Sequence, residues 1–573
     1  MRDWVGVDGA HMDSNHMKPA GPAVAAQAAD WTLAPATTPA SARRMGLVRL
    51  DLNTGAPLLF ALTLALVALT LAMPVNHDED QYLAATVLAA HWRPFTDFLY
   101  LQTPLQPLIT APLAQIFPGH SFLVLRLASA ALGAATLAVA YASQRRLGVS
   151  RANASLATVL MASCYTFQFS NAVFRNDALP TLLLTMGMFA AFAGLSAGRR
   201  GLLSWLACGL CLAASVSAKI SFAVPLAAAG LFLLIDFARA TDRRAPALRI
   251  LAFGVGALAG LLPTALAFLA APEQFIYGVF GYFAHAPEIW YRSNGLGILM
   301  GLGGKLVGSA ANLAIGPALA ALAIAAAASV RDWRTAVLRS RPELLFLDMM
   351  IVGGLIAALL PTPTYRQYFM PLLPPLFIRL AFELPRLRAA MTTKPTLAAA
   401  ALSLGLTIGL GHFVYVVGGA ALTQRWTVSR VTEEAHWIGD RLRAAGARGR
   451  VATLSPDVAL DSGYPLDRRF ATGVFVYRTG DDLDPATVRR LNVLSPSTLA
   501  ASLDRAPPAA IVVGYEHGDI GFKIRPDDGL QAYARSRGYR LEASPWGAAQ
   551  LYIRPIAQPR VGPLDDSVRP EHP

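Results

Sequence analysis

Cysteine is scarce: 573 residues hold only Cys164, Cys208 and Cys211. All three lie inside apolar segments, where cysteine packs as a small hydrophobe, so no disulfide framework is implied. Cys208-x-x-Cys211 has no second cysteine pair or histidine near it, and a thiolate in lipid is costly, which argues against a redox or metal pair. Charge is scarce as well. Charged residues make up 15% of the chain against 54% hydrophobic, a balance that excludes an ordinary soluble protein of this length. Also missing are a P-loop and any other nucleotide-binding glycine loop, so nucleotide-dependent chemistry has no foothold. No internal repeat marks an inverted-repeat transporter.

What is present is a series of apolar segments long enough to cross a bilayer. They run over 56–74, 122–142, 152–172, 178–197, 202–217, 220–235, 248–271, 310–330, 344–360, 368–382 and 397–419, about eleven spans. The net charge of +13 comes mainly from arginines clustered between these segments, which speaks of topology and not of nucleic acid. One set of alternate loops holds Arg145, Arg146 and Arg151; Arg199 and Arg200; Arg239, Arg243, Arg244 and Arg249; Arg331, Arg334, Arg339 and Arg341; Arg386, Arg388 and Lys394. The opposite set holds only Arg93, Arg175, Lys219, Arg292, Lys305 and Arg366. The rich set belongs inside, so the chain is expected in a bacterial inner (plasma) membrane with a cytoplasmic N-terminus. The first apolar segment could also be a cleaved signal peptide, but no clear A-x-A site precedes the acidic residues that follow it.

The ends differ from the middle. Residues 1–50 are rich in Ala, Pro, Asp and Thr and lack an apolar period, which predicts a disordered cytoplasmic arm, with Met45 an alternative start. After residue 424 the pattern changes to a helix over 430–445, short strand-like runs at 451–454, 473–477, 510–514 and 550–553, and a helical piece near 530–537. That predicts a small α/β domain over 425–555 on the outer side, followed by a disordered tail over 556–573. His436, Asp457, Asp461, His517 and Asp519 in this part form no hydrolase pattern.

The chain is organised around residues 76–118. Asp78, Glu79 and Asp80 follow the first apolar segment directly, and Leu83 and Val87, then Ala84, Leu88 and Trp92, recur at helical spacing. A short amphipathic helix at the membrane surface fits. A turn at Arg93-Pro94, then Asp97 and the run Pro104, Pro107, Pro112 and Pro118 complete a loop far longer than a simple connection needs. The acidic trio could serve only as the first turn of that helix, complementing its dipole. Asp78 could also act as a base on an incoming hydroxyl. Asp97 could bind a substrate or a cation, or merely cap its own turn. His77 and His91 could join Asp80 around a metal, though no ligand spacing here is diagnostic.

Four pieces in order resemble the first outer loop of GT-C glycosyltransferases: Asp78-Glu79-x-x-Tyr82, Pro94-Phe95-x-Asp97-Phe98, Gln102-x-Pro104, and Arg126 in FLVLRLASA. The nearest branch is protein O-mannosyltransferase-like and includes lipid A aminoarabinose transferases and rhizobial lipopolysaccharide galacturonosyltransferases. The resemblance covers roughly 55–385. It implies an all-α polytopic membrane domain of GT-C type over 51–424, with its first outer loop at 75–121 and the small C-terminal α/β extracytoplasmic domain behind it. It further implies a polyprenyl-phosphate-linked sugar donor, a glycan, lipid or protein acceptor on the outer face such as lipopolysaccharide, and an inverting transfer with Asp78 as base. No cofactor is certain; a divalent cation is compatible with the family, and nucleic acid is not a partner.

The remaining candidates stand at the outer ends of apolar segments, where ionised groups near lipid are costly. Arg175-Asn176-Asp177 matches a second acidic motif of the family in position, or is an ion pair closing a helix entrance. Lys219 lies between two spans, and Tyr365 and Arg366 precede a late one in PTYRQYFMPLLPPL. Lys219 and Arg366 could hold the donor phosphate or simply snorkel. With Glu79, Tyr82 and Asp97, these residues make up the expected substrate-binding set. The aromatic loop over 272–305 is expected chiefly to anchor at the interface. A transporter or flippase of lipid-linked sugars is the alternative reading, and a non-catalytic assembly partner with an outer binding domain is a third.

Overall fold

A computed structural model describes residues 55–197, 201–392, 396–516, 522–547 and 549–555. The expected N-terminal arm and C-terminal tail, and Arg199, Arg200, Lys394, His517 and Asp519, lie outside the described residues. The described residues form one compact unit.

Ten helices carry the chain to the aromatic loop: α1 Ala56–Ala72, α2 His77–Ala89, α3 Leu105–Ile116, α4 Ser121–Arg146, α5 Arg151–Ser163, α6 Tyr165–Ala172, α7 Ala178–Ser196, α8 Leu202–Ala218, α9 Ala223–Arg239 and α10 Arg244–Ala270. Further long helices follow at Ala318–Arg334, Pro342–Leu359 and Leu397–Thr423. Six helices are long and apolar enough to cross a bilayer, up to eight if two pairs bent by 99° each count as one. The protein is therefore a multi-pass membrane protein, but the count of eleven is not reached among the described residues. The shortfall has local causes. The span expected over 152–172 breaks at Cys164, where the Tyr165 amide donates to the Ile315 carbonyl (3.0 Å) instead of continuing α5. The segment expected over 368–382 divides into a 3₁₀ turn, Arg366–Leu372, and a nine-residue helix, Leu373–Ala381. α8 has 17 residues.

Packing in the bundle relies on small residues. α8 and α10 cross at Gly209, Gly256 and Gly260, where an added Cβ would meet carbonyl oxygens of the opposing helix at 2.0–2.4 Å. Such close backbone approach is how membrane helices gain dispersion contact without a hydrophobic driving force. A fully buried Arg379 binds Asp332, Asp348 and Glu383, joining three helices elsewhere in the bundle.

The C-terminal region holds a four-stranded sheet in the order β1–β2–β4–β3, from β1 Val451–Thr453, β2 Ala510–Val513, β3 Arg540–Ala543 and β4 Gln550–Ile553. β1 and β2 are parallel, and β4 is antiparallel to β2 and β3. The helices Thr427–Ala444 and Asp527–Ser536 fall where the pattern placed them. The run expected as a strand at 473–477 is instead a one-turn helix, Val474–Tyr477. β3 was not anticipated, because its residues are largely exposed and lack an apolar alternation.

Helix α2 positions the site. The chain turns by 99° between α1 and α2 around Pro74. Leu83, Ala84 and Leu88 of α2 share one apolar cluster with Val451, Val512 and Leu551 of the sheet. α2 is thus buried between bundle and sheet and does not simply lie on the membrane surface. Asp461 fixes the same junction by accepting the amides of Ser121 (2.7 Å) and Phe122 (3.2 Å) at the free N-terminus of α4.

Candidate active site

Arg175 is the hub. It follows α6, in the short connection to α7, and its side chain is buried. Its Nη1 donates to Asn76 Oδ1 (2.7 Å) and Asp78 Oδ2 (2.5 Å), and its Nε donates to Asp177 Oδ2 (3.2 Å). Lys219, at the end of α8, pairs with the other oxygen of Asp177. The Lys219 ammonium also sits 5.5 Å from the Tyr368 ring centroid. Arg366 lies over Tyr165 (4.7 Å) and Phe169 (4.5 Å), and Arg175 lies over Phe169 (5.6 Å) and Tyr82 (5.7 Å). Phe169 therefore serves two guanidiniums, and Arg366 has no carboxylate partner among the described residues. Three cations face two carboxylates, which leaves excess positive charge beside Asp78, whose side chain is 20% exposed. An anion such as phosphate would satisfy it.

Burial alone would raise the Asp78 carboxyl. The adjacent Arg175 charge, and then His77, outweigh that and hold it at about 2. Asp78 is thus ionised at any physiological pH, but its lone pairs are engaged.

The rest of the acidic trio does other work. Glu79 is fully buried. Its oxygens accept from Arg126 Nε (2.8 Å) and Nη2 (2.6 Å) and from the Phe174 amide (2.7 Å). Arg126 in turn donates to the Met73 carbonyl (2.8 Å) and lies 4.6 Å from the Phe122 centroid. Glu79 therefore anchors the connection that carries Arg175 and does not face a substrate, contrary to the sequence expectation. Asp97 accepts the Arg93 amide (2.8 Å), the turn-capping role that was one of its two readings. The Tyr82 ring lies 5.7 Å from the Arg175 guanidinium carbon. The Tyr365 hydroxyl pairs with that of Tyr291 from the aromatic loop. That loop turns Tyr282, Trp290 and Tyr291 inward, so it does more than anchor.

His77, His91 and Asp80 are not brought together as a ligand set. His77 stacks on Phe475, His91 is exposed, and Asp80 is buried against Asp457. No group of three potential metal ligands occurs among the described residues.

Asp80 accepts the Asp457 amide (3.0 Å), and the two side chains adjoin. Burial, and then the neighbouring Asp457 charge, push Asp80 well above the ordinary carboxylate range; burial also raises Asp457. Glu516 adds to the repulsion at Asp80 and Glu79 to that at Asp457, while Arg126 opposes it. Both carboxyls are therefore held above their ordinary range. Folded protein binds their protons more tightly than unfolded chain does, so stability falls as pH rises from the ordinary carboxylate range near about 4 toward the pair's raised range. Asp457→Asn is expected to flatten this slope and to stabilise the protein at pH of about 8 by about 1–3 kcal/mol. Thermal unfolding in detergent at acid and alkaline pH measures it; an unchanged slope would show that the pair is not the titrating element.

Sequence reasoning missed Asn76, Tyr291 and the roles of Asp457 and Asp461. Asn76 adjoins the acidic trio and was legible as part of it. The other contacts join segments far apart in the chain, and no local signal marks them.

Residues 102–266 match the profile of the dolichyl-phosphate-mannose-protein mannosyltransferase family. ArnT from Cupriavidus metallidurans bound to undecaprenyl phosphate superposes with a TM-score of 0.55 at 15% identity, covering 87% of this chain and 98% of that one. Its apo form does so with the same score and coverage at 14% identity. The Pmt1–Pmt2 protein O-mannosyltransferase complex of S. cerevisiae, bound to its sugar donor, aligns over 39% of this chain and 34% of that chain at 17% identity and a TM-score of 0.32, too distant to argue from. No curated protein matches by sequence.

Proposed function

We infer that this chain is a GT-C membrane glycosyltransferase that moves a sugar from a polyprenyl-phosphate donor to an acceptor on the outer face of the membrane, with inversion, a reading supported by the family-model match and the shared fold. The observation that carries this reading is the excess positive charge of Arg175, Lys219 and Arg366 around the Asp78 carboxylate. The three cations suit a phosphate diester bearing a lipid and a sugar. Asp78 suits the acceptor hydroxyl. ArnT, which shares the fold, was crystallised with undecaprenyl phosphate, and this supports a lipid-linked donor here. The arginine distribution supports an outer site, where nucleotide sugars are absent.

The chemistry balances simply. The acceptor oxygen attacks the anomeric carbon and its proton passes to Asp78. The bond from that carbon to the phosphate oxygen breaks, and the lipid phosphate leaves with its charge held by Lys219, Arg175 and Arg366. Arg175 links the two halves. In the empty site it holds Asp78 as a weak base; a bound phosphate draws the guanidinium away, and the carboxylate becomes a better one.

The test is transfer by the purified protein in detergent, with polyprenyl-phosphate sugars and envelope glycan extracts, followed by mass spectrometry. Wild type should consume donor and yield glycosylated acceptor. Lys219→Met and Arg366→Met should each raise the donor KM by roughly 10–100-fold, the loss of one charge-assisted contact. Movement of the donor across liposomes without any transfer would establish a transporter instead.

A further inference from the structure

The C-terminal region supplies a second set of residues that the reaction above leaves unused. Arg478 follows the one-turn helix Val474–Tyr477. Its guanidinium carbon lies 4.5 Å from the Trp290 ring centroid and 4.8 Å from that of Phe475. Its Nε is buried without a hydrogen-bond partner, and no carboxylate pairs with it among the described residues. The Tyr282 side chain is its polar neighbour. A part-buried guanidinium flanked by two rings, with no carboxylate paired to it, has the capacity to take up an anion.

Its position is informative. The two oxygens of Asp78 face different neighbours: Oδ2 meets Arg175, whereas Oδ1 lies 3.2 Å from His77 Nε2. The His77 ring stacks on Phe475 at 5.6 Å, and Phe475 carries Arg478. Arg478 is close enough for its charge to act on Asp78. Asp78 is thus approached by the phosphate-seeking cations through one oxygen and by a C-terminal cation with aromatic walls through the other.

We propose that Arg478, with Trp290, Phe475 and Tyr282, forms a second anion subsite that binds a carboxylate or phosphate borne on a sugar ring beside the reacting carbon. The assignment rests on the glycosyltransferase reading. The donor's own phosphate is claimed by Arg175, Lys219 and Arg366, so the anion at Arg478 is a second one. Guanidinium is suited to it, since its planar fork takes a carboxylate or phosphate by two parallel bonds. Trp290, stacked on Phe522, and Phe475, stacked on His77, hold the Arg478 guanidinium in place. The anion is carried either by the acceptor glycan or by the transferred sugar.

Binding to the full-length protein in detergent separates these cases. Three probes are used: an oligouronate against a neutral oligosaccharide of equal length, a polyprenyl-phosphate uronic acid against a polyprenyl-phosphate hexose, and polyprenyl phosphate alone. Wild type should prefer one acidic probe over its neutral counterpart by at least about tenfold, the worth of one charged hydrogen bond, and the preference should shrink with salt. Arg478→Gln should abolish that preference and leave polyprenyl phosphate binding unchanged. A lost preference among free oligosaccharides assigns the anion to the acceptor, and one among lipid-linked sugars assigns it to the donor. Where Arg478→Gln does not fold, Arg478→Lys serves, with the preference reduced severalfold. Equal preference in wild type and variant, with polyprenyl phosphate still bound, would overturn the subsite alone. Failure of wild type to bind polyprenyl phosphate would instead count against the proposed reaction.

Discussion

Asp78→Asn is expected to lower the rate of sugar transfer by about 10²-fold or more while leaving the donor bound at least as tightly as before. Asparagine keeps the size of aspartate but cannot take the acceptor's proton, and general-base contributions are typically about 10²–10⁴-fold. Arg175 does not lose its footing, because Asn76 and Asp177 still hold it. Removing one negative charge from beside the phosphate seat relieves competition for Arg175, so the donor KM should stay level or fall. The pH profile adds a sharper test. In the free protein Asp78 is held at about 2 by Arg175 and His77 against the opposing effect of burial. The profile of kcat/KM should therefore show no acid limb from this group near neutrality. If bound phosphate draws Arg175 away, the group titrates higher in the loaded enzyme. An acid limb should then appear in kcat, and vanish in the variant. Equal turnover in variant and wild type would remove Asp78 from the chemistry and direct attention to Asp177.

Much of this arrangement was legible, and the reason is physical. Arg175, Asp177, Lys219 and Arg366 stand out because a charge at the end of an apolar segment needs a purpose. The structure brings all four near Asp78 from three segments, but the pairing itself has no signature in spacing. Asp80 and Asp457 meet across 377 positions, and Arg478 reaches the site only because a sheet packs on α2. Secondary structure failed where tertiary context decided. Val474–Tyr477 is made of strand-forming residues yet forms a helical turn among buried aromatics. Arg540–Ala543 is an edge strand with charged, exposed residues and no alternation to read. Apolar length likewise says nothing of a break such as that at Cys164, where the Tyr165 amide donates to the Ile315 carbonyl.

Glu79 illustrates how a residue of the motif can matter without touching substrate. Arg126→Met is expected to destabilise the protein by about 3–5 kcal/mol, because it leaves the Glu79 carboxylate buried and unpaired. Adding Glu79→Met should recover most of that loss, since apolar replacement of both members of a buried pair is often neutral or stabilising. Stability and activity should then part company. The Phe174 amide loses its acceptor in the double variant, and Phe174 immediately precedes Arg175. A guanidinium displaced by a fraction of an ångström grips neither Asp78 nor phosphate well, and misplacement on that scale is costly in catalysis. The double variant should therefore unfold at close to the wild-type temperature in detergent yet transfer sugar at least about tenfold more slowly. Full activity in the double variant would mean that Glu79 and Arg126 only fasten the elbow between α1 and α2. Lost activity in a stable fold would make them the positioning pair of the site, holding Arg175 where both the base and the leaving phosphate need it.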